Sequence, residues 1–260
     1  MKPLKILITN EQGCFHAGIV ALARELAQRH YVCIVAPLHA HAGSGHALTT
    51  GYPLRAEQFF ALSKVKIFGV NGTPVDCVNL AIDKLLKSKP DLIISGIDNK
   101  TNRGETIYSS GVVSAAIAGT IQGIPSIAVS ACIAPEKDRD EKAYIPMAKI
   151  IAKELGGLYS HITQDVTLNV NFPARIASKN IKCVHLTTNI VDNKYVEEVN
   201  PFGKVFYWQK NCVASYSLDC LEQYGDIYWL KKNFITVTPL KYDLTNKDAF
   251  GILARSGIKL

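Results

Sequence analysis

Asn10-Glu11-Gln12-Gly13 sets a carboxylate among amides and a turn glycine at the end of the first apolar run of the chain. Three other polar segments end later apolar runs in the same way. They are His39-Ala40-His41-Ala42-Gly43-Ser44-Gly45-His46, Gly72-Thr73-Pro74-Val75-Asp76-Cys77, and the stretch from Ser95 to Gly104 that holds Asp98 and Asn102. If the runs are neighbouring parallel strands, their carboxyl ends gather Glu11, Asp98 and Asn102 at the sheet edge where doubly wound folds bind ligands. Oxygen donors of this kind suit a hard divalent cation. Ser110-Gly111 then opens an uncharged apolar segment, and the free amides of a helix starting there could receive a phosphate. Each segment also has a plainer reading, with Asp98 and Asn102 as turn residues, Ser110 as a helix cap, and Asn10 to Gly13 as an ordinary strand-to-helix turn.

The elements that must position these residues follow from the apolar periodicity. Runs at 4–9, 31–37, 65–70, 92–95, 126–130 and 166–170 predict buried strands, and helical spacing over 16–30, 75–88, 111–122 and 141–155 predicts crossover helices. Thr73-Pro74 supplies a cap and a first-turn proline for the second of these helices. Such alternation implies an α/β fold, a mainly parallel sheet with helices on both faces, over residues 1–175. Over 176–260 the pattern changes to short β-like runs at 183–188, 204–209 and 234–239, followed by helical spacing at 245–255. This predicts a smaller β-rich C-terminal region ending in a helix.

Composition narrows the function classes. Lysine and arginine exceed aspartate and glutamate by 29 to 22, so the net charge of +7 favours anionic ligands. No basic run interleaved with aromatics occurs, which argues against a nucleic-acid polymer as partner. The seven cysteines are odd in number and never form a C-x-x-C pair, so neither a disulfide framework nor a thiolate zinc site is expected, and a cytoplasmic setting fits. Residues 106–135 carry no charge, but Ser109, Ser110, Gly119, Gln122, Gly123 and Pro125 interrupt them, so no membrane span is expected. The amino terminus shows no secretion signal. Walker, nucleophile-elbow and H-E-x-x-H patterns are all missing, and Gly43-Ser44-Gly45 lacks the remaining glycine of a dinucleotide fingerprint.

Several ordered segments together carry a family resemblance. They include Gly72-Thr73-Pro74 with Asp76-Cys77-Val78, Pro90-Asp91-Leu92-Ile93-Ile94-Ser95-Gly96-Ile97, Asn102 with Gly104, and Ser110-Gly111 with Val113, Ala115, Ala116 and Gly119. Gly123-Ile124-Pro125-Ser126-Ile127-Ala128-Val129-Ser130, Asn169-Val170-Asn171 with Pro173, and Thr238-Pro239-Leu240 with Asp243-Leu244-Thr245 complete the order. From Lys5 to about Thr245 the chain resembles the SurE family (stationary-phase survival protein E), metal-dependent 5′- and 3′-nucleotidases. The resemblance implies a Rossmann-like core, a C-terminal region that exchanges elements between subunits, and a homodimer or dimer-based oligomer. It also implies a divalent cation, Mg²⁺ or Mn²⁺, at Glu11, Gln12 and Asp98. Phosphate would lie at Asn102, Ser110 and Gly111, and Glu11, Asn102 and Ser110 would take catalytic roles.

Departures from the family pattern cluster at that site. The family's two consecutive aspartates fall on Glu11 and Gln12, its serine ligand on Ala42, and its asparagine ligand on Asp98. Its S-G-T segment becomes Ser110-Gly111-Val112, and basic residues of the strand-two loop become His39 and His41. The ligand charge stays at −2 in both patterns, which favours a retained cation, whereas the extra methylene of Glu11 strains an octahedral site. A shifted metal, or a transition metal using His39 or His41, would relieve the misfit. The leading expectation is a phosphomonoesterase of nucleoside monophosphates or a related small phosphate ester, with altered or reduced activity. Two alternatives stay open: a nucleotide-binding regulatory protein without efficient hydrolysis, and a different metal-assisted reaction on the same scaffold.

Overall fold

Leu7 lies between Ile6 and Ile8, and all three are buried because the strand that carries them is covered on both faces. A computed structural model describes residues 2–62, 65–176, 180–188, 192–212 and 223–256. Strands β1 (Lys5–Thr9), β2 (Tyr31–Pro37), β3 (Ala56–Leu62), β4 (Val65–Val70), β5 (Leu92–Asp98), β6 (Ser126–Ala131), β7 (Val166–Phe172), β8 (Ile181–Cys183) and β11 (Ile235–Lys241) form one sheet. Its order is β3-β4-β2-β1-β5-β6-β7-β11-β8, parallel except where β3 meets β4 and β7 meets β11. Two further strands, β9 (Asp192–Val199) and β10 (Val205–Cys212), pair with each other as an antiparallel ribbon.

Helices α1 (Ala17–Leu26) and α4 (Glu141–Ser160) cover one face, where Ile19, Leu22, Leu26, Tyr144, Ile151 and Leu155 pack on Ile6, Ile8, Ile34 and Ile94. On the other face, α2 (Pro74–Leu80) and α3 (Gly111–Ile121) set Val75, Val78, Ala115 and Ala118 against Leu7, Val35 and Ile93. The chain leaves β1 for β2 through α1, and later places β5 on the other side of β1. Strand order therefore reverses between β1 and β5, which opens a crevice at their carboxyl ends.

The structure refines several sequence expectations. Strand β5 runs on to Asp98, so that residue ends a strand instead of sitting in a turn. Helix α2 gives way to a π-helical turn at Ala81–Leu85 and does not continue as one helix through 88. Strand β11 enters the main sheet between β7 and β8, while the β9–β10 ribbon stands apart. Helices α5 (Asp226–Lys231) and α6 (Lys247–Arg255) complete the described chain. No helix among the described residues is long and apolar enough to cross a membrane.

Candidate functional site

Asn10 closes the turn after β1 on itself. Its Nδ2 donates to the Gly13 carbonyl and its Oδ1 accepts from the Gly13 amide, both at 3.0 Å. The His41 amide donates to the Glu11 carbonyl at 2.8 Å, which ties the loop after β2 to this turn. Glu11 is thereby presented to the crevice, where its Oε2 accepts from the Gly111 amide at 2.6 Å. The first turn of α3 thus already has an acceptor on its amide, the protein's own Glu11 carboxyl group. Gly111 has no room for a side chain: a Cβ there would stand 2.7 Å from Glu11 Oε2, 2.8 Å from Ser44 Oγ and 3.0 Å from Pro74 Cγ.

Asp98 is the second buried carboxylate. Its Oδ1 accepts from Gln12 Nε2 at 3.1 Å and from the Asn99 amide at 2.8 Å, and its Oδ2 accepts from Asn102 Nδ2 at 3.2 Å. Glu11 and Asp98 are 5% and 1% exposed, so neither charge is well solvated. Burial first, and then the charge of Asp98, pushes the Glu11 carboxyl up to about 8, against the opposing pull of the Gly111 and Val112 amides and of Lys100. Burial likewise raises Asp98, opposed by hydrogen bonds from Gln12, Asn99 and Asn102 and by His16.

Asn102 is held from three sides. Its Nδ2 also donates to Ser130 Oγ at 2.7 Å, its backbone amide donates to Asn171 Oδ1 at 2.7 Å, and its carbonyl accepts from Asn169 and Asn171 at 2.8 and 2.9 Å. Alternate residues of β7 thus supply both asparagines that grip the loop, which gives the Asn169-Val170-Asn171 segment its physical purpose. Ser110 Oγ accepts from the Val113 amide at 3.1 Å and so caps α3.

The turn after β1, the end of β5 and the start of α3 bring Glu11, Gln12, Asp98, Asn102, Ser110 and Gly111 to one edge. His39 and Ala42 are exposed, and His41 contributes its backbone to Glu11. Ser44 is a polar neighbour that sequence reasoning missed. Its hydroxyl is buried without a hydrogen-bond partner beside Gly111 and Glu11. Positive φ angles of 78° and 53° at Gly43 and Gly45 turn the chain on either side of it, and that glycine pair was the available signal.

Among the described residues no group of three or more histidine, cysteine, aspartate or glutamate side chains comes together as a metal cluster. The oxygens of Glu11, Asp98 and Gln12 are nevertheless hard donors, and a divalent cation would offset the burial that raises both carboxyls and the charge of Asp98 that raises Glu11 further. In donor chemistry the residues present fit such a cation.

Comparison with known proteins adds an independent line. Residues 6–197 match the family model described as Survival protein SurE. The 5'-nucleotidase SurE of Thermoanaerobacter sp. (strain X514) is 35% identical over 258 residues, covering 99% of this chain and 100% of that protein. The 5'-nucleotidase SurE of Prochlorococcus marinus (strain MIT 9211) is 37% identical over 257 residues, with 94% and 93% covered. A crystal structure of the SurE protein from Aquifex aeolicus superposes with a TM-score of 0.76 at 33% identity, over 96% of this chain and 98% of that one.

Proposed function

The chain belongs to the SurE family, and from that premise we propose that it is a divalent-cation-dependent phosphomonoesterase of nucleoside 5′- or 3′-monophosphates or a related small phosphate ester. The observation that carries this reading is the pair of buried carboxylates, Glu11 and Asp98, at the carboxyl edge of β1 and β5 beside the start of α3. Glu11, Asp98 and the amide oxygen of Gln12 would hold the cation, Mg²⁺ or Mn²⁺. When bound, such a cation polarises phosphoryl oxygens and lowers the pKa of an attacking water.

The chain's own groups do the rest. Asn102, whose backbone is fixed by Asn169 and Asn171, would turn its side-chain amide from Asp98 or Ser130 to orient the phosphate. Ser110 shapes the first turn of α3, and the Gly111 amide is the donor for a phosphate oxygen. Glu11 touches both the cation position and that amide, so substrate must displace its carboxylate from Gly111. This competition supports altered or reduced hydrolysis, and it is also the observation that favours the second reading, a nucleotide-binding regulatory protein. The region from 176 onward serves a homodimer or dimer-based oligomer, a role supported by Tyr195, Phe206, Tyr207 and Trp208 exposed on the β9–β10 ribbon.

The test is phosphate release from a nucleotide panel with and without Mg²⁺, Mn²⁺ and Zn²⁺, combined with metal analysis of the purified protein. Cation-dependent release supports the phosphomonoesterase. Nucleotide binding without release supports the regulatory reading, and neither cation uptake nor release would overturn the assignment of the site.

A further inference from the structure

The chemistry proposed above gives no task to Ser44, whose Oγ is buried with no hydrogen-bond partner among the described residues. Five other buried polar atoms share that condition, on Thr9, Ser95, Asn169, Thr236 and Thr238, and each of those residues stands on a strand of the main sheet. Ser44 stands on a loop at the site. A serine in a turn ordinarily spends its hydroxyl on nearby backbone. This one does not, and a buried hydroxyl left without a bond costs the folded chain its desolvation.

The loop is held in place by its backbone instead. The His41 amide donates to the Glu11 carbonyl at 2.8 Å, the Ser44 amide to the His41 carbonyl at 3.2 Å, and the Gly45 amide to the Ser109 carbonyl at 3.0 Å. Further along, the Ala47 amide donates to the Ser44 carbonyl at 3.2 Å, and Thr73 Oγ1 donates to the Ala47 carbonyl at 2.8 Å. The Thr49 amide donates to the Asp76 carboxylate at 3.1 Å. These bonds dock the loop on the turn after β1, on the residues just before α3 and on the start of α2. The position of the hydroxyl is therefore set without the hydroxyl being spent, as a preorganised donor requires.

That donor faces the start of α3. A Cβ placed on Gly111 would lie 2.8 Å from Ser44 Oγ and 2.7 Å from Glu11 Oε2, so the hydroxyl and the carboxyl oxygen share the space beside Gly111. The Gly111 amide is taken by Glu11 at 2.6 Å, and Ser44 is bonded to neither. A phosphate monoester that displaces the Glu11 carboxyl puts one oxygen on that amide and has further acceptor oxygens for a donor alongside.

We propose that Ser44 is a substrate-binding residue: its hydroxyl donates to a phosphoryl oxygen when the phosphate takes the Gly111 amide from Glu11. This assignment rests on the phosphomonoesterase reading and adds to it a donor outside the set of Asn102, Ser110 and Gly111.

Ser44→Ala removes the hydroxyl alone. Inorganic phosphate titrated calorimetrically into the Mg²⁺-saturated protein should bind about 10- to 100-fold more weakly to the variant, the usual worth of a hydrogen bond to a charged group. Mg²⁺ affinity in the absence of phosphate should not change. A loss there would mean that the hydroxyl serves the cation or Glu11, and the assignment to phosphate falls. A thermal melt without phosphate or cation separates binding from structure. A hydroxyl that supports the fold lowers the melting temperature when it is removed, whereas an unspent one leaves it equal or raises it. A lower melting temperature of Ser44→Ala, or phosphate affinity equal to that of the unaltered protein, would overturn the proposal and leave the phosphomonoesterase reading standing. If the unaltered protein itself binds no phosphate, that reading falls and Ser44 falls with it.

Discussion

Glu11→Gln should stabilise the cation-free protein, and by an amount that grows with pH. Burial first and the charge of Asp98 second hold the Glu11 carboxyl near 8, against an ordinary value of 4.5. The folded state therefore keeps a proton that the unfolded chain releases, and stability falls as pH rises from the unfolded toward the folded pKa. Applied between pH 5 and pH 7, the linkage relation gives about 2.5 kcal/mol of stability lost through this one group. Gln carries no titrating proton, and its carbonyl oxygen can still accept from the Gly111 amide, so the substitution removes the charge and keeps the contact. Urea unfolding of both proteins in chelator at the two pH values supplies the test, because the difference between them cancels every other titrating group. The advantage of Glu11→Gln should widen by about 2.5 kcal/mol on going to pH 7, and saturating Mn²⁺ should reverse it by stabilising the unaltered protein more. A difference independent of pH would refute the claim that Glu11 is charged only at a cost.

Below about 8 the proton on Glu11 must leave before a cation binds, so Mn²⁺ affinity should rise about 50-fold between pH 6 and pH 8 by calorimetry, and the rise should vanish in Glu11→Gln. Gly111→Ala drives a methyl group to 2.7 Å from Glu11 Oε2 and 2.8 Å from Ser44 Oγ, and should cost about 1 to 3 kcal/mol in thermal unfolding along with the Mn²⁺ site. A variant returned to the family pattern, with Glu11→Asp, Gln12→Asp, Ala42→Ser, Asp98→Asn and Val112→Thr made together, should release phosphate from AMP faster than the unaltered chain at saturating Mn²⁺. Equal rates in the folded variant would show that the departures are compensated.

The sheet was legible where its strands are apolar on both sides. The runs that became β1, β2, β5 and β6 are buried along most of their length, whereas β4 and β7 were legible from their apolar alternate positions, with Lys66 exposed in β4 and Thr167, Asn169 and Asn171 on the other side of β7. Strand β3 was not legible, since Ala56–Leu62 is an edge strand with Glu57 and Gln58 exposed, and its antiparallel partner β4 supplies the order that its own pattern lacks. The ribbon strand β9, Asp192–Val199, hides for the same reason: exposed positions carry no burial signal. At the site, residue types pointed to Glu11, Asp98 and Asn102, but contacts between distant segments could not be read from spacing. His16 reaches Asp138 across 122 positions and Glu11 reaches Gly111 across 100, so the amide thought free for phosphate lies under a carboxylate from the first turn.

That contact makes the departures from the family pattern intelligible as a set. In the pattern that the chain resembles, position 12 is an acid and position 98 an amide. Here the acid is Asp98 and the amide is Gln12, and the two meet at 3.1 Å with the amide donating. Changing position 98 alone would set two carboxylates against each other in a buried site, and changing position 12 alone would leave two amides with one acid fewer for the cation. The exchange keeps both the hydrogen bond and the charge. Glu11 completes the set: its extra methylene lets the carboxylate reach the start of α3, next to Val112, where the family's threonine would bring a further hydroxyl. With that hydroxyl gone, fewer donors would face a phosphate while Glu11 occupies the Gly111 amide, which is the reason to expect faster phosphate release from the variant returned to the family pattern.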